Sequence, residues 1–225
     1  MTRHTTLLLT TLLLGMPACD TPAESEQAPQ AAKTTPTPEK APETTASPAA
    51  EKPTEPAART VASGLDVGMR FAAFDIVNCD SGEEYCQVCR FGGAPKIMAV
   101  GTIDDAEFKK DLQNLDAIVA KYGDDKIKVF AVIAEPKDGT LVTPTANRAD
   151  LQAKAKALRE ELEIDMPVVV PAAEGDALNG IFEDHYQIKQ SRTIMFADGK
   201  NVVKYSAVAP SDLKALDDAI KAAVG

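Results

Sequence analysis

Three cysteines stand close together in the chain, Cys79, Cys86 and Cys89, spaced Cys-x6-Cys-x2-Cys. Two intervening residues let the sulfurs of Cys86 and Cys89 meet in a small ring that solution thiols can open. Three chemistries fit the set. In the first, Cys86 and Cys89 are a redox-active dithiol. Arg90 beside Cys89 favours the thiolate, Cys86 attacks by analogy with the first cysteine of other Cys-x-x-Cys pairs, and Tyr85, Val88 and Phe91 offer apolar groups to a partner. In the second, a bridge from Cys79 to Cys86 or from Cys86 to Cys89 staples the loop, closing under about a dozen residues for about 2–3 kcal/mol. In the third, the three thiolates hold zinc, and His185 is the one histidine of the mature chain able to complete the set. A haem attachment would need histidine where Arg90 stands. Gly92-Gly93 lacks the lysine-serine continuation of a phosphate loop and reads as a turn. One mature histidine rules out arguing a Ser/His/Asp triad, and no residue pattern asks for a cofactor.

The elements that must position these cysteines alternate between strand and helix. Phe71, Phe74, Ile76 and Val77 form a strand-like run ending at Cys79, and a Gly/Glu turn leads on to Tyr85. Lys96–Gly101 reads as a short buried strand. Asp104 or Asp105 caps a helix with Phe108, Leu112, Leu115, Ile118 and Val119 on one face, and Gly123 ends it. A second strand spans 126–134 and a second helix 149–162, with Leu151, Ala155, Leu158 and Leu162 inward. A strand follows at 166–170 and a helix near 178–185. Thr193–Ala197 and 201–206 make a hairpin turning at Asp198-Gly199, and a closing helix over 211–224 starts from a Ser211 cap. This order predicts an α/β fold with a mixed central sheet and helices on both faces.

Over about 64–225 the chain resembles the thioredoxin-like superfamily, in its peroxiredoxin-like and membrane-tethered thioredoxin branch. The likeness rests on the element order, on Val67-Gly68-Met69-Arg70-Phe71 as the entry to the first strand, and on Tyr186-Gln187-Ile188 leading to Thr193-Ile194-Met195-Phe196. It implies a reactive Cys-x-x-Cys, or a peroxidatic cysteine, after the central strand where the first long helix begins. That place here reads Gly101-Thr102-Ile103-Asp104-Asp105-Ala106, without sulfur, and the two aspartates would raise the pKa of a thiol placed there. The cis-proline that thioredoxins carry before the next strand is replaced by Arg192. Arg192 resembles the arginine that polarises peroxide in peroxiredoxin-like members; the plainer reading, which outweighs it, is a solvated or ion-paired arginine at a strand start. Exchange chemistry in this chain must therefore use Cys86 and Cys89.

The first residues say where that chemistry would act. Arg3 and His4 precede an apolar run from Leu7 to Leu14, and Gly15-Met16-Pro17-Ala18 leads to Cys19, the layout of a secretory signal. The run is too short to span a bilayer. A cysteine after such a segment resembles the lipobox of bacterial lipoproteins, which implies lipid on Cys19 after removal of 1–18. From Asp20 to Arg59 there is no Val, Ile, Leu, Met, Phe or Tyr, while Pro, Ala, Thr and Glu recur. Nothing there offsets the entropy of ordering, so 19–62 reads as a disordered tether and 63–225 as the folded domain. With Cys19 lipidated three thiols remain, and at most two of them pair internally. The net charge of −10 comes without a basic cluster, which excludes nucleic acid as a partner class. The expectation is a lipid-anchored protein on the exported face of the cell envelope, exchanging disulfides with an exported thiol protein. The alternative is a non-catalytic binding or scaffold domain whose cysteines are structural, as a staple or around zinc.

Overall fold

The computed structural model describes residues 61–144, 146–172 and 180–225. The signal segment, Cys19 and nearly all of the expected tether lie outside them. The spine is a pair of parallel strands, β3 (Lys96–Gly101) and β4 (Lys128–Ile133), buried on both sides. Along β3, Ile97 and Ala99 enter one core layer while Met98 and Val100 enter the other. A strand that is apolar on both faces beyond its first residue belongs at the centre of a sheet, because both of its faces leave water.

The other strands extend this spine into a seven-stranded sheet. They are β1 (Asp75–Asn78), β2 (Glu84–Cys86), β7 (Val168–Pro171), β8 (Thr193–Ala197) and β9 (Val203–Val208), in the order β2-β1-β7-β4-β3-β8-β9. β7 runs parallel to β4, while β1, β2, β8 and β9 pair antiparallel with their neighbours. A separate hairpin joins β5 (Glu135–Lys137) to β6 (Thr140–Val142). Its turn is Asp138-Gly139, with φ of 49° and 78°, the positive values a two-residue primed turn requires.

The long helices α2 (Ala106–Tyr122), α3 (Arg148–Leu162) and α4 (Lys214–Val224) bury Phe108, Leu112, Leu115, Ala155, Leu158, Leu216 and Ile220 in one layer. The opposite layer is closed by the short helix α1 (Gln87–Phe91), by Leu65, Phe71 and Phe74, and by a π-helical turn over Phe182–Tyr186. The expected mixed sheet with helical cover on both faces is present. Asp105 caps α2 by accepting from the amides of Glu107 and Phe108, both at 3.1 Å, and Gly123 closes it with φ of 93°.

Four expectations need correction. The first strand is only Asp75–Asn78, because Phe71 and Phe74 arrive on irregular backbone and lock edge-on against Tyr186. The helix expected near 178–185 is, within the described residues, the π-helical turn. The closing helix begins at Lys214 rather than Ser211, since Asp212 accepts the Lys214 amide and takes up the role expected of Ser211. Finally, α1 was not foreseen, and it holds Cys89 while Cys86 caps its start.

Candidate functional site

Cys86 is the last residue of β2 and the N-cap of α1, and Cys89 is the third residue of that helix. One helical turn brings their Cα atoms to 5.2 Å, inside the range a bridge spans, and their sulfurs are bonded. The backbone N–H of Cys89 donates to Cys86 Sγ at 3.1 Å. Cys89 is exposed and Cys86 half-buried.

The helix carrying the pair is pinned at both ends. Buried Val88 enters the second core layer, and Phe91 meets Phe130 edge-on at 5.8 Å. Asn78 Nδ2 donates to the Tyr85 hydroxyl at 3.2 Å, which donates to buried Gln87 Oε1 at 2.7 Å, so β1, β2 and α1 share one hydrogen-bonded chain. Behind the helix, buried Lys96 donates to Gly92 O at 2.7 Å and to Asn201 Oδ1 at 2.5 Å. Burial lowers the Lys96 pKa, and Asp198 works against that shift.

Arg90, expected to favour the thiolate, is engaged by two neighbours. Its guanidinium lies 4.6 Å over the Tyr85 ring and 3.6 Å from Glu83 Oε2, so the nearest carboxylate offsets its charge. Cys79 is also elsewhere. It follows Val77 onto the layer beneath α2 and α3, whereas Cys86 packs against the opposite layer. Its thiol is free and buried, with a pKa pushed up to about 12 by burial and then by Asp80. The three sulfurs therefore do not converge. His185 Nε2 sits 2.7 Å from Arg70 O, and among the described residues no group of three His, Cys, Asp or Glu side chains is arranged for a metal. The zinc set considered from the sequence does not assemble.

The turn after the central strand holds Thr102 to Asp105. The Thr102 amide donates to Ser191 Oγ at 3.2 Å. Burial would raise the Asp105 pKa, yet hydrogen bonds from Ser191 and from the Phe108 and Glu107 amides, with Arg192 nearby, outweigh it and lower it. A cavity of about 400 Å³ opens beside this turn, between Thr102, Asp104, Glu135, Asp150 and Lys154 over an apolar wall at Leu151. Arg192 takes φ of 61° at the start of β8 and reaches Asp111 at 2.7 and 3.2 Å and Pro210 O at 3.1 Å. Asp111 first, then its burial and other carboxylates, act on Arg192, and the net effect raises its pKa. The Asp111 contacts are those of the ion-paired reading.

No family model and no curated protein matches the chain. Solved structures do. The thioredoxin domain of a thiol-disulfide oxidoreductase from Bacteroides vulgatus superposes with a TM-score of 0.54 at 13% identity, covering 72% of this chain and 99% of that one. A thiol-disulfide isomerase from Corynebacterium glutamicum gives 0.53 at 14% identity, covering 72% and 99%. The fold is thioredoxin-like. Within this thioredoxin-like sheet the bridge lies on edge strand β2, four strand spacings from the turn after β3, roughly 19 Å away at about 4.8 Å per spacing. Sequence reasoning missed what α1 does. Val88 and Phe91, three residues apart after a capping Cys86, were the available signal.

Proposed function

We propose that this protein exchanges thiols and disulfides through Cys86 and Cys89, and that it works lipid-anchored at Cys19 on the exported face of the cell envelope, acting on exported thiol proteins. The observation that carries the redox reading is the Cys86–Cys89 bridge at the surface, with the remaining thiol of the domain sealed in the other core layer. A bridge across one helical turn can open without moving a core element. Its test is equilibration with glutathione buffers. An active pair shows an intermediate potential, above the roughly −300 mV below which structural bridges lie. A bridge resistant to the whole buffer range overturns the reading.

The lipid anchor rests on the apolar run ending at Ala18-Cys19 and the coreless stretch behind it. No helix among the described residues is long and apolar enough to cross a membrane. Cys19→Ser should release the protein from the membrane fraction or leave it uncleaved, and a mature N-terminus downstream of Cys19 by mass spectrometry refutes the anchor. One observation favours a second reading, a non-catalytic binding domain with the bridge as a staple. The cavity beside Thr102 lies where a parallel sheet usually presents ligands, and it holds no sulfur.

A further inference from the structure

Resting on the redox reading, we infer that exchange runs through Cys89, not Cys86: the incoming thiolate bonds to the Cys89 sulfur, and Cys86 is the thiol that leaves and later resolves. Two asymmetries in the site carry this order.

The first is access. Displacement at a disulfide needs the nucleophile in line with the bond it breaks, approaching from behind the sulfur attacked. Cys89 is exposed, while half-buried Cys86 packs with Tyr85 and Phe91 against the core layer that Val88 enters, so Cys89 is the more accessible of the two. The second is the leaving group. Cys86 Sγ already accepts the Cys89 N–H at 3.1 Å, and a donor aimed at a developing thiolate stabilises it and speeds its departure. Five residues are too few for α1 to contribute a macrodipole, so the effect is that single N–H. Asp75 stands across the strand pair from Cys86 and opposes the charge, but its carboxylate is exposed and screened. Arg90, held by Glu83 and Tyr85, does not restore the balance in favour of Cys89.

The step balances as follows. A partner thiolate attacks Cys89 Sγ, a partner–Cys89 disulfide forms, the Cys86–Cys89 bond breaks, and its electron pair leaves on Cys86 as thiolate. A second thiolate of the partner then attacks the partner sulfur of that mixed disulfide. Cys89 is freed as thiolate and both cysteines take up protons from solvent. A dithiol partner has become a disulfide and the pair has gained two electrons. In the reverse direction the Cys86 thiolate closes on Cys89 and expels the partner.

The test uses the full chain carrying Cys19→Ser, oxidised, mixed with reduced glutathione and quenched by fast alkylation. Fragmentation of the peptide containing both cysteines then locates each modification. Glutathione on Cys89 with alkyl on Cys86 should exceed the opposite arrangement about tenfold, in keeping with differences of this kind in access and leaving-group acidity. Equal amounts, or an excess on Cys86, overturn the order and leave the redox reading standing. A bridge that glutathione never opens overturns both.

Discussion

The ring of Phe108 occupies the space that a side chain on Gly101 would need: a Cβ there would stand 2.6 Å from its Cγ and Cδ1. Gly101 ends the central strand, and Phe108 lies in the first turn of α2. Their close approach sets how tightly the helix starts against the sheet, and so fixes the turn between Thr102 and Asp105. Gly101→Ala should cost about 1–3 kcal/mol, the range of an overpacked core. Urea denaturation is expected to show a lower midpoint with unchanged slope, and Phe108→Leu should recover part of the loss.

Opening the bridge should cost little. Closing four residues, Cys86 to Cys89, removes chain entropy worth about 2 kcal/mol on the loop-length relation. Adding a phosphine reductant should therefore lower the unfolding free energy by about 2 kcal/mol or less and leave the far-ultraviolet circular dichroism unchanged.

Arg192 and Asp111 should matter to stability and not to exchange. Their side chains are 19% and 8% exposed, and each is the other's partner. Asp111→Ala leaves the guanidinium without its carboxylate and should cost about 3 kcal/mol, whereas replacing both residues with apolar ones of similar size should cost less. Glutathione exchange at Cys86 and Cys89 should be unchanged in the double variant, as measured by the rate of bridge opening.

Cys79 should make the protein lose stability in alkali. Its thiol ionises near its ordinary value of about 9 in the unfolded chain but only near 12 when folded, so between these values the unfolded state has released a proton that the folded state keeps. The stabilising contribution is complete below pH 9 and is lost as pH rises toward 12, with a slope of at most about 1.4 kcal/mol per pH unit. Cys79→Ala should remove that part of the slope, and iodoacetamide at pH 8 should label Cys79 only in denaturant.

Much of the frame was legible in the residues. The unbroken apolar run of β3, the Asp105 cap and the Gly123 stop of α2 signal their elements through local chemistry alone. Asp198-Gly199 signals the last hairpin too, although the reversal runs over 198–202 with the positive φ of 62° at Asn201, and the second strand starts at Val203 rather than 201. The site was less legible because what matters there is tertiary. That Cys79 and Cys86 enter different layers depends on how β1 pairs with β2. That Arg90 answers to Glu83 rather than to a sulfur depends on the hairpin bringing Glu83 alongside. The Asp138-Gly139 hairpin carried as clear a signal as Asp198-Gly199 and could have been read. Phe71 and Phe74 misled, because aromatic residues favour strands and here serve as packing for Tyr186.

The sheet between Cys79 and the bridge acts as insulation. With the third sulfur on the far side of a wall of strands, no internal shuffling can move the bond, and a partner caught on Cys89 has a single internal exit, through Cys86. Without Cys86, a Cys89 thiolate that attacks a partner's disulfide and expels one partner sulfur as thiolate should form a mixed disulfide with no internal exit, which only a thiol from outside the chain can release.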